Sequence, residues 1–567
     1  MSSNVDGDRQ QGALVMSKYT LGLDFGTESA RAVLVDVATG ETAATAVHPY
    51  ADGVIDEALP GSEEPLSPGW ALQNPVDWLA ALEVTVPAVL AESGVAGESV
   101  VGLGLDFTAC TVLPATTDGA PLCTLDVWRG RPHAWAKLWK HHAAQPQADR
   151  VNELASVRGK PWLPRYGGKI SSEWLIPKAL QTLEEAPSLY AAADRIVEGG
   201  DWVVWQLTGR LARNACAAGY KATWHKADGF PSADFLASLH PGLANLYRDK
   251  LAGPVVAPGQ RVGELTTEWA ERLGLAGGTP VAAPVIDAHA AVPGGGVSEP
   301  GTMFMIMGTS TCHMLMAENE VLVEGISGVV EDGIVPGFFG YEAGQAGVGD
   351  LFAWFVDHSV PPAYHEEATS RSLSLHDVLT HKAAALRPGQ SGLLALDWWN
   401  GNRSTLVDAD LSGLLIGCTL ATRAEDISRA LIEATAFGTR VIIEAFTEQG
   451  LPVETVVTGG GLTKNALLMQ IYADVTGRDM AVCGAEQASA LGAAMLGAVA
   501  AGKQGGGYDS LAEAAKRMAP PPAQVYRPIG QNQTLYDTLY AEYRRLYDYF
   551  GRGENKVIKT LRRLRKM

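Results

Sequence analysis

Apolar and polar positions fall into clear blocks along this chain, and the clearest lies at residues 19–36. Two apolar runs, 21–23 and 32–35, flank the polar turn Asp24-Phe25-Gly26-Thr27-Glu28-Ser29. Strand, glycine-bearing turn and strand predict a β-hairpin. The pattern returns at 301–317, where Met303 to Met307 leads into Gly308-Thr309-Ser310-Thr311 and a second apolar run. One such hairpin reads equally well as an ordinary surface turn. Two, one near the start and one past the middle, predict a duplicated architecture. Both turns carry glycine and hydroxyl groups, and successive backbone N–H groups there can form a hollow for an anion.

Between and beyond the hairpins the patterning predicts further elements. Asn74-Pro75 starts a helix carrying Trp78, Leu79 and Leu82. A buried strand at 99–105 runs into the polar turn Asp106 to Thr111. Residues 132–142 read as a helix with Trp135 and Trp139 on one face. Residues 165–178 join a glycine turn to a helix with serine caps. The small residues 217–222 read as a loop ending in Lys221. A strand at 281–286 delivers Asp287, which suits both a helix N-cap and a general base at a strand end. Pro293 and Gly294 to Gly296 then read as a hinge-like link to the second hairpin and mark the best domain boundary.

In the second half, Glu342 stands alone among small residues at 340–345, and 397–411 is a polar, aromatic loop. Thr422 to Glu425 reads as a capping box that opens a long helix ending at Gly450. A strand at 454–458, the loop Gly459-Gly460-Gly461 and a helix from Thr463 to Gly477 follow. This is a nucleotide-binding arrangement, although glycine loops also simply turn corners. The basic stretch 544–567 reads as an exposed helix.

Composition narrows the picture. A chain of 567 residues with 47% hydrophobic and 19% charged residues can build large cores, and the repeated hairpin points to two lobes. A net charge of −19 argues against non-specific nucleic-acid binding. The six cysteines show no metal-ligand spacing and read as reduced thiols of a cytosolic protein, with Cys110 and Cys312 near the cleft. No apolar run of about 18 residues predicts a membrane span.

Taken together, LGLDFGTESARAVLVD, the Asp287 stretch, MGTSTCHM and TGGGLTKNALLMQIYADVTG resemble the FGGY carbohydrate kinases. GLDFTACTVLP, LWKHHAA, GGKISSEWLIPKA, AGYKATW and WWNGNRS are similar to the branch of that family acting on ribulose. The resemblance runs from Tyr19 to about Phe550. Two positions depart from the wider family: Lys169 and Trp174 are separated by four residues, and Cys418 follows Gly417.

The resemblance implies an α/β, two-lobed actin-like (ribonuclease H-like) ATPase fold with a duplicated core. Residues 1–17 would be an extension, 18–296 the sugar-binding lobe, 297–550 the ATP-binding lobe and 551–567 a basic tail. It implies ATP- and Mg2+-dependent phosphorylation of L-ribulose at O5 in L-arabinose catabolism, with D-ribulose and ribitol left open as acceptors. Asp287 would be the general base, and Ala109, Trp139, Lys221, Asp287 and Glu342 would contact the sugar. Asp24, Gly26, Thr27, Glu28 and Ser29 would line one phosphate loop, and Gly308, Thr309 and Ser310 the other. Gly460, Gly461 and Asn465 would hold adenosine, and Asp24 would hold Mg2+ through water. The expected partners are a ketopentose and ATP, in a cytoplasmic protein whose assembly into homo-oligomers is left open. The rival readings are a xylulose- or glycerol-type kinase and an actin-like ATPase without a sugar substrate.

Overall fold

The computed structural model describes residues 17–566. Residues 1–16, nearly all of the expected N-terminal extension, and Met567 lie outside the described residues. In the first lobe, β1 (Tyr19–Phe25), β2 (Ser29–Asp36), β3 (Thr42–Pro49), β4 (Val100–Phe107), β5 (Arg261–Glu264) and β6 (Pro280–Ala282) form a sheet in the order β5-β6-β4-β1-β2-β3. In the second lobe, β7 (Gly301–Met307), β8 (Thr311–Ala317), β9 (Gly328–Glu331), β10 (Phe339–Gln345), β11 (Val453–Gly459), β12 (Met480–Val482) and β13 (Gln524–Tyr526) run in the order β9-β10-β8-β7-β11-β12-β13.

The two sheets repeat one plan. Each opens with an antiparallel hairpin, β1–β2 or β7–β8, whose first strand pairs in parallel with a later strand, β4 or β11. Central parallel strands are covered on both faces, so they read as continuous apolar runs such as MFMIM rather than as alternation. The duplication expected from the two hairpins therefore extends to whole sheets.

Helix α1 (Pro75–Ser93) starts as expected, with the Asn74 side chain accepting from Val76 N. Next come α2 (Leu175–Glu185), α3 (Ala215–Ala222) and α4 (Asp287–Gly294) in the first lobe. The second half adds α5 (Ala424–Thr447), α6 (Ala466–Thr476), α7 (Ala488–Gly505, interrupted at Gly502) and α8 (Gly530–Gly551). Helix α7 lies flat on the first-lobe sheet. A Cβ on Gly102 would sit 2.0 Å from Gly497 O, and one on Gly104 2.1 Å from Ala493 O, so only glycine lets the backbones meet. Val33, Ala290, Phe304, Met314 and Met495 share one buried core, which draws on both sheets and α7. No helix among the described residues is long and apolar enough to cross a membrane.

Several local expectations change. Residues 132–142 do not form a helix. A 3-10 turn at Pro132–Ala134 leads into the strand Ala136–Lys137, which pairs with Leu72–Gln73 and with Val112. The neighbouring strands capture the backbone bonds that a helix would have closed internally, so Trp135 and Trp139 share no helical face. Residues 217–222 are not a loop but part of α3, because Asn214 caps its start by accepting from Ala217 N at 2.7 Å. The Pro293–Gly296 stretch is no slack linker. A Cβ on Gly294 would sit 1.9 Å from Ala488 O, and one on Gly295 2.2 Å from the Phe304 ring. The cap of α5 involves Arg423 and Asp426 rather than Thr422 and Glu425. The basic C-terminal stretch is only partly exposed: Tyr547 and Ile558 are buried, and Arg562 donates to Leu411 O at 2.9 Å.

Candidate active site

Three carboxyl groups converge at the C-terminal ends of the first lobe's parallel strands, where α/β sheets offer a crevice. Asp24 on β1 and Asp106 on β4 face each other in register. Asp106 is also the register partner of Val285, two residues before Asp287. Asp24 accepts from Arg31 at 3.0 Å. Asp287 is the first residue of α4, partly exposed, and its own Oδ1 accepts from Ala288 N at 2.6 Å. Burial pushes Asp287 up to about 7; the Ala288 N–H and Lys221 oppose this, and Asp24 and Glu342 add to it.

Asp106 is fully buried and neither carboxylate oxygen has a hydrogen-bond partner. Burial, then the charges of Asp24 and Asp287, hold it well above the usual carboxylate range. The native state thus keeps a proton that the unfolded chain releases above about pH 3.9. Stability is lost as pH rises through that value, at about 1.4 kcal/mol per pH unit, until the folded group also ionises. We expect Asp106→Asn to be more stable than wild type at pH 7, with the gap closing near pH 4. Urea unfolding across that range checks this, and a gap independent of pH would refute it.

A second cluster bridges the lobes. Lys221 on α3 donates to Glu342 on β10 at 3.0 Å, and both side chains are almost wholly buried. Arg403, from the loop after Asp397, bonds the other Glu342 oxygen. His289 Nε2 lies 3.6 Å from Glu342, and its ring packs on Tyr220 with centroids 4.4 Å apart. Burial raises the Glu342 carboxyl, but Lys221, Arg403 and His289 outweigh this and hold it at about 2. Burial likewise lowers Lys221, and Glu342 more than offsets it, holding the ammonium at about 12. The Lys221 ammonium also sits 5.6 Å from the centre of the Trp174 ring. Glu342 is therefore a fixed acceptor and Lys221 a fixed donor at neutral pH.

Ala109 and Trp139 stand on turns that another buried lysine holds together. Lys178 of α2 donates to the carbonyls of Cys110 at 2.6 Å, Lys137 at 3.2 Å and Leu138 at 2.8 Å. Trp139 Nε1 in turn donates to Thr27 Oγ1 at 3.0 Å, tying this wall to the first hairpin turn. We expect Lys178→Met to lose about 1–3 kcal/mol of stability, because the Cys110, Lys137 and Leu138 carbonyls each lose a donor, Leu138 O keeping only the one from His141 N. The same variant should raise the KM for the acceptor about tenfold, or about 1.4 kcal/mol, while leaving the donor KM nearly unchanged. Steady-state kinetics with each substrate varied separately tests that split.

The two hairpin turns are closed alike: Gly26 N donates to Ser29 O at 3.0 Å, and Gly308 N to Ser310 O at 2.9 Å. Thr27 and Ser29 are partly exposed and Glu28 is exposed. Val348 N braces the second turn by donating to Thr309 O at 2.9 Å. Beside it, at the end of the parallel neighbour β11, a Cβ on Gly460 would come 2.5 Å from Met307 O. Nothing lies near Gly461, so the surface there is open. Asn465 caps α6 by accepting from Leu468 N at 3.1 Å, and its amide donates to Thr380.

The comparisons decide the family. Two models of the FGGY family of carbohydrate kinases match, the N-terminal domain over residues 19–294 and the C-terminal domain over 303–501. The chain belongs to the FGGY family of carbohydrate kinases. Among curated relatives of this FGGY protein, the ribulokinase of Geobacillus thermodenitrificans is 56% identical over 96% of this chain and 97% of that protein. The ribulokinase of Mycolicibacterium smegmatis is 51% identical, covering 97% of this chain and 96% of that protein. The solved xylulose kinase of Rhodospirillum rubrum superposes with a TM-score of 0.77 at 22% identity, covering 94% of this chain and 98% of that one. At that identity the likeness speaks for the fold alone, which is the two-lobed α/β fold of this family.

Sequence reasoning named Asp24, Asp287, Lys221 and Glu342, and the fold gathers all four. It missed Arg403, Lys178 and His289 as parts of the site. Two of these carried a legible signal. Arg403 is a lone charge inside the aromatic loop WWNGNRS, and Lys178 interrupts the apolar helix WLIPKAL. Asp106 stands out in the sequence as a strand-end turn residue, but nothing there marks its carboxyl as unpartnered.

Proposed function

We propose that this FGGY kinase transfers the γ-phosphoryl group of ATP to O5 of L-ribulose, giving L-ribulose 5-phosphate and ADP. Its curated relatives at 51–56% identity are named ribulokinases. The observation that carries the reading is Asp287 itself. It is a partly exposed carboxyl near neutral pKa, between Asp24 on the first lobe and the Lys221–Glu342 pair that joins the lobes.

In this reading Lys221 donates to, and Glu342 accepts from, hydroxyls of the acceptor, while Ala109 and the Trp139 face shape the wall beside it. Asp287 takes the proton of the terminal hydroxyl, for which hydrogen-bond reach matters more than strong basicity. The turns at Gly26–Ser29 and Gly308–Ser310 offer backbone N–H and hydroxyl donors to the phosphates from the two lobes. Gly460 and Gly461 leave the backbone open beside the adenosine, and Asn465 serves by fixing the start of α6. Among the described residues no three His, Cys, Asp or Glu side chains form a metal cage. Asp24 alone suits Mg2+, which keeps several waters and leans on one or two carboxylates plus substrate phosphates. Asp24 would hold it through water, and the ion would offset phosphate charge during transfer.

The test is acceptor-dependent ADP release across L-ribulose, D-ribulose, ribitol, D-xylulose and glycerol. Highest kcat/KM with L-ribulose supports the proposal. Preference for xylulose or glycerol would replace it, and ATP turnover indifferent to every sugar would end the sugar-kinase reading of this site.

A further inference from the structure

Lys221 and Arg403 set two cations against the one carboxylate of Glu342. Lys221 and Glu342 are 6% and 5% exposed, whereas the Arg403 side chain is 36% exposed. Of the two cations that share Glu342, Arg403 is the one with an open face.

The arginine also lies along a defined line. Glu342 and Gly344 point to the same face of β10, two residues apart, and Gly344 is the register partner of Cys312, which follows Thr311 of the second hairpin turn. A Cβ on Gly344 would sit 3.4 Å from both Cδ and Nη1 of Arg403 and 2.8 Å from Thr311 O. The arginine stem thus passes over Gly344 at the edge of the 308–311 turn, with one end of its guanidinium bonded to Glu342. Ser404 fixes the loop by accepting from Gly344 N at 3.2 Å. A rigid, planar donor is held between the acceptor pocket and the turn assigned to phosphate.

We propose that Arg403 is a catalytic residue whose guanidinium meets the oxygens of the phosphoryl group in flight. This rests on the phosphotransfer reading above. The terminal oxygen of the acceptor forms the new bond to Pγ and gives its proton to Asp287. The bond from Pγ to the bridging oxygen breaks, and ADP leaves with that electron pair. Arg403 neutralises charge on the equatorial oxygens, anchored by Glu342 so that it need not reorganise.

The test compares wild type with Arg403→Met and Arg403→Lys in the full chain. It measures kcat, acceptor affinity by calorimetry, and rescue by millimolar guanidinium chloride. Expected is a fall in kcat of about 100- to 1,000-fold in the Met variant. Acceptor Kd should stay within about threefold, since Lys221 still pairs Glu342, and guanidinium should restore at least part of the lost rate. The Lys variant, which keeps the charge but not the fork, should stay well below wild type. Near-normal kcat in the Met variant overturns the inference. So does a loss matched by weaker acceptor binding, full recovery with lysine, or failure of guanidinium to raise the rate. If wild type itself shows no ribulose-dependent ADP release, it is the functional reading that fails instead.

Discussion

Asp287→Asn lowers kcat by about 100- to 10,000-fold, the range general-base assistance normally supplies, while the acceptor still binds. The pH dependence gives a second check. Burial, Asp24 and Glu342 raise Asp287 to about 7, so its basic form grows in as pH rises through neutrality. Wild-type kcat/KM should climb between about pH 6 and pH 8 with an apparent pKa near 7. The residual rate of Asp287→Asn should lack that rise. A variant with near-wild-type turnover, or one that keeps the same inflection, would remove Asp287 from the base role.

Glu342→Ala should cost about 3–5 kcal/mol of stability, because it strands the buried Lys221 ammonium and one side of Arg403. Acceptor binding should be lost along with it. The sign of the pH effect follows from the two partners. Glu342 is held at about 2, so its contribution is present above the unfolded carboxyl's range and is lost as pH falls from about 5 towards 2. Lys221 is held at about 12, so its share is present below the unfolded lysine's range and is lost as pH rises from about 10 towards 12. The stability gap between wild type and Glu342→Ala should therefore narrow as pH falls below about 5, and on the alkaline side it should narrow as the unpaired Lys221 of the variant, which burial lowers, sheds its proton. Denaturant unfolding at several pH values measures it. A gap below about 1 kcal/mol at pH 7 would mean the pair is solvated rather than buried.

Much of the local architecture was legible from pattern. The two hairpins, the Asn74 cap, the strand running into Asp106 and the strand–glycine–helix unit around Gly460 all rest on contacts between near neighbours in sequence. Apolar periodicity, capping side chains and glycine at tight turns state such contacts directly. Where a stretch had two local solutions, pattern alone chose badly. Residues 132–142 carry helical spacing, but Leu72–Gln73 and Val112 offered strand partners. Residues 217–222 look like a loop until Asn214 caps them as a helix.

By itself, then, the sequence determined the α/β class, the duplication, the strand-end carboxylates and the membership that the motifs declare. Tertiary structure alone decided that Lys221 and Glu342, separated by 121 positions, share a buried bond, and that Asp106 has no partner for either oxygen. It also decided that α7 from the second half rests on the first lobe's sheet, and that Lys178 and Arg403 point inward. The reason is physical. Burial and ion pairing depend on which distant surfaces meet and in what register, and a residue's type and neighbours along the chain encode neither.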